Sequence, residues 1–308
     1  MKFLKLIRYQ NLLMLALMQF LFRYGFLSFQ NIPLALNNWQ YILLVLATLA
    51  IAAGGYIINN IMDQATDNSN KPNQVVVGKS ITETLAYNLY FLVTILGVGI
   101  GFYLSNLIGK PVFASIFIII SATLYLYATS LKQMFLIGNV VVALLLAFSV
   151  IIIGLFDLLP IITVENRQAV ADLFSILLDY ALFAFIINFL REIVKDLEDV
   201  NGDYNQGMNT LPIALGISRT SKIVLGLSTI PLVMVVLYMK TYFFDNNLHL
   251  ATIYTLLFIV APFIYFIIKM ADAKKSKEFH HLSSVLKLII LFGLFSIAIV
   301  TYNILHYA

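Results

Sequence analysis

Residues 41 to 67 read Tyr41-Ile42-Leu43-Leu44-Val45-Leu46-Ala47-Thr48-Leu49-Ala50-Ile51-Ala52-Ala53-Gly54-Gly55-Tyr56-Ile57-Ile58-Asn59-Asn60-Ile61-Met62-Asp63-Gln64-Ala65-Thr66-Asp67. No charge interrupts the run until Asp63. About twenty apolar residues are what a helix needs to cross the roughly 30 Å hydrocarbon core of a bilayer. The amides and carboxylates that close the run then fall where that helix leaves the membrane. Working outward, nine such runs can be marked, near residues 11 to 28, 40 to 61, 83 to 106, 111 to 130, 136 to 158, 168 to 193, 221 to 240, 250 to 269 and 284 to 306. The first follows a short basic stretch without a small-residue cleavage site and is expected to be a retained helix.

Composition agrees with this reading. The 308 residues are 61% hydrophobic and 11% charged, with mean hydropathy +0.93, whereas a soluble domain carries roughly 25% charged residues. Cysteine is absent, which removes disulfides, thiolate metal sites and thiol nucleophiles from consideration. The sequence predicts an all-α integral membrane bundle forming one domain over residues 1–308.

The formal charge of +4 is a matter of topology and not of nucleic-acid binding. Lys2, Lys5 and Arg8 precede the first run, and Lys71, Lys79, Lys132, Arg191, Lys195, Arg219, Lys222 and the cluster Lys269, Lys274, Lys275 and Lys277 fall in loops on the same side. The opposite loops hold Lys110, Arg167 and Lys240. Because Lys and Arg resist translocation, the N-terminus is expected in the cytoplasm, in a protein of the plasma membrane. The two longer loops on that side, near 62 to 82 and 191 to 220, carry most of the polar residues. Contacts of Lys274, Lys275 and Lys277 with anionic membrane lipids are expected.

Asn59, Asp63 and Asp67 recur at i, i+4 and i+8, one stripe of a helix with about 3.6 residues per turn. Glu192, Asp196, Asp199 and Asp203 recur at i, i+4, i+7 and i+11, again one face, with Gly202 and Gly207 expected to loosen the helix. One such stripe can be a solvated cap. Two on one side of a membrane are harder to explain that way, since ionisable groups at membrane depth are costly and mark functional sites. Stacked carboxylates repel, and hard oxygen donors in pairs suit Mg²⁺, which completes its shell with water and substrate phosphates. The chemistry such a pair supports is ionisation of an allylic diphosphate, with metal-neutralised charge as the C–O bond breaks. An apolar chamber would exclude water from the cation. The other class considered, a cation-coupled transporter, fits less well, because transporter ion sites lie at broken helices near the midplane and these carboxylates lie at span ends.

At this point the residues resemble a known family. Asn59-x-x-x-Asp63-x-x-x-Asp67 and Asp199-x-x-x-Asp203, after the second and sixth runs, resemble the two signatures of the UbiA superfamily of intramembrane prenyltransferases. The resemblance extends over the whole chain and implies nine transmembrane helices, a prenyl diphosphate donor and Mg²⁺. It implies Asp63, Asp67, Asp199 and Asp203 as metal ligands, with Asn59 orienting the first motif or a bound water. Asn70-Lys71-Pro72 stands where many members have Asn-Arg-Pro, which implies Lys71 as a diphosphate contact. Leu131-Lys132 followed by Gly138-Asn139 is similar to another family segment, implying the same role for Lys132 and a supporting one for Asn139. Arg8-Tyr9-Gln10-Asn11 resembles the Arg-Pro-x-Asn that opens the first helix, with Tyr9 in place of proline. Within the family, residues 191 to 203 and Thr210-Leu211-Pro212-Ile213 look most like members acting on a phosphorylated glycerol lipid. This implies geranylgeranyl diphosphate as donor and geranylgeranylglyceryl phosphate as acceptor. Aromatic acids of the hydroxybenzoate, naphthoate or homogentisate type are the alternative acceptors, because related members share fragments of the second motif and Asn73 to Lys79 depart from the usual pattern.

Lys195 is a further candidate diphosphate contact, Glu192 and Asp196 are expected to support the metal shell, and Arg8, Asn11 and Arg191 to serve the acceptor. Arg23 is expected to snorkel outward. Asp179 is given no catalytic role, and His280 and His281 lack a third ligand at zinc spacing.

Overall fold

The structure, a computed structural model, describes residues 2–65 and 75–307. Asp67 and Lys71 therefore lie outside the described residues. The helices are α1 (Lys2–Leu6), α2 (Tyr9–Gly25), α3 (Asn38–Met62), α4 (Glu83–Leu107), α5 (Ala114–Thr129), α6 (Ile137–Asp157), α7 (Arg167–Asn205), α8 (Leu211–Leu215), α9 (Ile217–Phe244), α10 (His249–Asp272) and α11 (Ser276–Tyr307). Among the described residues, nine helices are long and apolar enough to cross a membrane. They correspond to the nine runs read from the sequence.

Local chemistry sets several of their ends. Asn37 starts α3 with a capping box, its Oδ1 accepting from the Gln40 backbone N–H at 2.9 Å while its own N–H donates to Gln40 Oε1 at 2.8 Å. Asp63 ends the same helix, its N–H still reaching the Asn59 carbonyl at 2.9 Å. Pro262 removes a backbone donor from α10 and crowds the carbonyl four residues back, and the helix widens into a π segment over Leu256–Val260 just before it. Close packing of α3 on α4 needs Gly97, where a Cβ would come 2.7 Å from Ile51 Cγ1 and 3.1 Å from the Ala47 carbonyl.

Two apolar clusters share α7 as a common wall. The first joins Phe22, Tyr41, Leu44, Ile153 and Phe156 to Leu177, and the second joins Leu190 and Val194 to Phe266, Met270, Leu282 and Leu286. Outward-facing Ile95, Phe102, Ile119, Val233 and Leu257 are exposed, as expected of side chains whose solvent is lipid.

Two expectations are corrected. Gly202 does not loosen α7, which runs on to Asn205 and stops before Gly207, whose φ of +68° ends the helix. Arg23 does not snorkel. It is 4% exposed, and its Nη1 lies 2.5 Å from Asp157 Oδ1. Its Nη2 donates to the Leu36 carbonyl, its guanidinium lies 5.0 Å from the Tyr41 ring centroid, and the Leu36 N–H donates to Asp157 Oδ1 at 3.1 Å. A buried cation needs a paired anion, and the end of α6 supplies one to the end of α2.

Candidate active site

The polar ends of α2, α3 and α7, with Lys132 and with Lys287 of α11, surround a cavity of about 720 Å³. Its first wall is the end of α3. Asn59 Nδ2 donates to Asp63 Oδ2 at 2.6 Å, one helical turn on, and Lys132 Nζ donates to Asp63 Oδ1. Both carboxylate oxygens of Asp63 are thus engaged by neighbours the sequence had grouped with it. Asn59 Oδ1 is buried with no hydrogen-bond partner, an acceptor left open.

Lys132 is held on a short turn, Leu131–Gln133, between α5 and α6. Gly138 lets that turn come close: a Cβ there would stand 2.8 Å from Lys132 Cα and 3.2 Å from the Leu131 carbonyl. The Asn209 N–H donates to the Gln133 carbonyl at 3.0 Å, tying the turn to the segment after α7.

The second wall is the C-terminal part of α7. Glu192, Asp196, Asp199 and Asp203 all line the cavity, as one helical face requires. Asn139 sits behind them, 8% exposed, and donates to Asp196 Oδ2 at 2.8 Å. Glu192 accepts from Lys195 Nζ at 2.8 and 3.0 Å, with Arg191 Nη1 at 3.4 Å from Oε1.

The start of α2 forms the third. Arg8 adopts φ 48° and ψ 54°, a left-handed conformation that costs a non-glycine residue about 1–2 kcal/mol. Tyr9 permits it, because a proline there would push the preceding residue toward extended backbone. The guanidinium stacks 5.4 Å from the Tyr56 ring centroid. Asn11 Oδ1 accepts from Lys287 Nζ at 3.1 Å.

Every described residue singled out from the sequence lines this cavity except Asn139, which touches it through Asp196. Lys287 and Tyr127 line it as well and were not singled out. Lys287 had a readable signal, being the one charge within the ninth apolar run; Tyr127, among many tyrosines, had none. His280 and His281 lie elsewhere, with His280 Nδ1 3.1 Å from Glu198 Oε1.

Beneath the polar cavity lies an apolar chamber of about 230 Å³, lined by Ile51, Gly55, Phe117, Leu124, Leu146 and Ile152 among others. Arg8, Asn11, Asn59, Tyr127, Arg191, Glu192 and Lys195 border both spaces. Charge therefore gathers at one end and hydrocarbon at the other, an arrangement suited to an amphiphile with an anionic head. Among the described residues, no three His, Asp or Glu side chains are grouped to hold a metal on their own. Carboxylates spread around a cavity instead suit a cation that takes part of its shell from a bound phosphate, as Mg²⁺ does, and the open Asn59 Oδ1 is a further hard donor.

Comparison with known proteins follows the same line. Digeranylgeranylglyceryl phosphate synthase of Sulfurisphaera tokodaii is 32% identical over 68% of this chain and 68% of its own length, and that of Methanobrevibacter smithii 30% identical over 85% and 87%. A solved structure described as giving structural and mechanistic insights into the biosynthesis of digeranylgeranylglyceryl phosphate synthase in membranes superimposes with a TM-score of 0.62 at 24% identity, covering 97% of each chain. A UbiA homologue from Archaeoglobus fulgidus bound to DMAPP and Mg²⁺ superimposes with a TM-score of 0.60 at 16% identity, covering 96% of this chain and 99% of that one. The family model described as the UbiA prenyltransferase family matches residues 24–291. The chain belongs to that family and is a membrane-embedded prenyltransferase.

Proposed function

We propose that the protein transfers a geranylgeranyl group from its diphosphate to the free hydroxyl of geranylgeranylglyceryl phosphate, with Mg²⁺, as a step of ether-lipid synthesis. The observation that carries this is the joining of an acid-and-cation-lined cavity to an apolar chamber through shared residues. The relatives are named for digeranylgeranylglyceryl phosphate, the product that such a transfer would form. Residues 1–308 act as one domain. Because the cavity opens among the loops richest in Lys and Arg, it faces the cytoplasm, with the N-terminus on that side.

Asp63, Asp199 and Asp203, together with Asp67, would hold the metal. Bound there, Mg²⁺ supplies positive charge against the diphosphate as it leaves. Lys132, Lys195 and Lys71 bind diphosphate oxygens, and Asn59 orients Asp63. Glu192 and Asp196 fix the neighbouring cations and amide. The apolar chamber holds the isoprenoid tail and keeps water from the allylic carbon. The C1–O bond breaks with its electron pair going to diphosphate, the acceptor oxygen forms the new C–O bond, and its proton passes to the released diphosphate.

The test incubates purified protein with radiolabelled geranylgeranyl diphosphate, Mg²⁺ and each acceptor separately. A labelled diether phosphate is expected with geranylgeranylglyceryl phosphate and none in EDTA. Prenylation of an aromatic acid in place of the lipid would overturn the acceptor, and full turnover in EDTA would overturn the metal.

A further inference from the structure

Lys287 stands in Val285-Leu286-Lys287-Leu288-Ile289-Ile290, an apolar stretch of α11. A charge on such a stretch is costly to keep in a membrane and is expected to face a partner or a cavity. Lys287 does both: it lines the polar cavity, and its ammonium donates to the neutral Asn11 side chain at 3.1 Å. That leaves further N–H donors on the ammonium for another acceptor.

Its neighbours on this side are also cations. Arg8 precedes Asn11 by one turn, and Arg191 and Lys195 line the same cavity as Lys287. The carboxylates nearest to these cations on α7 are Glu192 and Asp196. Glu192 is taken by Lys195 and Arg191, and Asp196 accepts from Asn139. Arg191 Nε is buried without a hydrogen-bond partner, although buried guanidinium donors are normally satisfied. With Lys195 paired to Glu192 and given to the diphosphate, Arg8, Arg191 and Lys287 remain beside Asp196, a cation-rich wall suited to a phosphate monoester, which carries about two negative charges at neutral pH. On the facing wall Asp63 is bonded to Lys132.

We infer that Arg8, Arg191 and Lys287 form a phosphate-monoester subsite, separate from the diphosphate site, that seats the head of the acceptor, with Lys287 as the residue that selects a phosphorylated acceptor. This rests on the acceptor reading above. The subsite is built from protein cations, so it binds its ligand without metal, whereas the diphosphate needs Mg²⁺.

The experiment uses the full chain in nanodiscs. Binding of geranylgeranylglyceryl phosphate and of its unphosphorylated alcohol is measured in EDTA by calorimetry, with inorganic phosphate and phosphatidic acid as competitors. Steady-state KM for donor and acceptor is then measured with Mg²⁺ in wild type, Lys287→Gln and Lys287→Arg. Expected are wild-type binding of the phosphorylated acceptor in EDTA and much weaker binding of the alcohol. The acceptor KM should rise about ten- to a hundredfold in Lys287→Gln, with the donor KM unchanged and recovery in Lys287→Arg. An unchanged acceptor KM in Lys287→Gln, or acceptor binding that requires Mg²⁺, overturns the subsite while leaving the acceptor reading standing. Displacement by equimolar phosphatidic acid would make this a membrane-headgroup site and overturn the assignment. Failure of the wild type to prenylate the phosphorylated acceptor at all overturns the acceptor reading, and the subsite with it. Should Lys287→Gln not fold, the wild-type comparison of phosphate with alcohol in EDTA decides the matter.

Discussion

Asp63 has its two oxygens on two different partners, Asn59 from its own helix and Lys132 from the turn between α5 and α6. A carboxylate so placed can hand one oxygen to a cation when Lys132 swings to an incoming anion, which keeps charge balanced at each stage. In the proposed site, removing it takes away a metal ligand and not a packing group, since Asp63 lies at a helix end beside a cavity. Asp63→Ala and Asp199→Ala are therefore expected to lower kcat by about a thousandfold, the scale of a lost transition-state stabiliser, while Tm in detergent stays near the wild-type value. Turnover within a few fold of wild type in either variant would remove these residues from the proposed site. Lys132→Met should act differently, raising the donor KM about tenfold or more because a charge-assisted hydrogen bond to the diphosphate is lost. A donor KM that does not move would exclude Lys132 as a diphosphate contact.

At the scale of elements, the turn carrying Lys132 depends on Gly138. A methyl group there meets backbone, Lys132 Cα at 2.8 Å and the Leu131 carbonyl at 3.2 Å, and backbone cannot rotate aside as a side chain can. Gly138→Ala should cost about 1–3 kcal/mol by overpacking and reduce kcat/KM at least about tenfold, because what moves is the turn holding the lysine. Gly226→Ala is the control, since a Cβ there meets nothing within 4 Å; equal losses in the two variants would show that the turn is not the cause. Elements were also what the sequence made most legible. Bilayer thickness fixes the length of an apolar run, so nine spans could be counted from hydropathy, and the i, i+4, i+7, i+11 spacing from Glu192 to Asp203 was enough to put four carboxylates on one face. The far end of α7 was less legible, because hydropathy reports where the bilayer stops and not where the helical hydrogen bonds stop. Contacts between distant spans left no trace in spacing. Arg23 and Asp157 meet across 134 residues, and Lys287 reaches Asn11 across 276, so spacing alone does not pair them. Depth could have paired the first two, since both fall near span ends on the same side.

Over the whole molecule, the two ends of the bundle do different work. Opposite the cavity, Arg23, Asp157, the Leu36 backbone and Tyr41 lock α2, α3 and α6 together. Breaking a buried pair from one side leaves an uncompensated charge and costs about 3–5 kcal/mol, so Arg23→Met should lower Tm markedly, and Arg23→Met with Asp157→Leu should recover part of that loss. No recovery in the double variant would mean the pair is not what holds this end. Between the brace and the cavity lies the apolar chamber, and its depth is a prediction about the donor. Ser149 lines it from α6, ten residues beyond Asn139 and thus about 15 Å further along the helix axis at roughly 1.5 Å per residue. If the diphosphate lies among the aspartates as proposed, a large side chain there would meet the distal isoprene units of the tail and leave the first units untouched. Ser149→Phe is therefore expected to lower kcat/KM for the twenty-carbon geranylgeranyl donor about tenfold or more, the scale of a few lost methylene burials, while the ten-carbon geranyl donor keeps its rate. Competition between the two donors in one assay measures the ratio directly. If both donors lose equally, the tail does not lie in this chamber, and a route between the helices toward lipid would have to take its place.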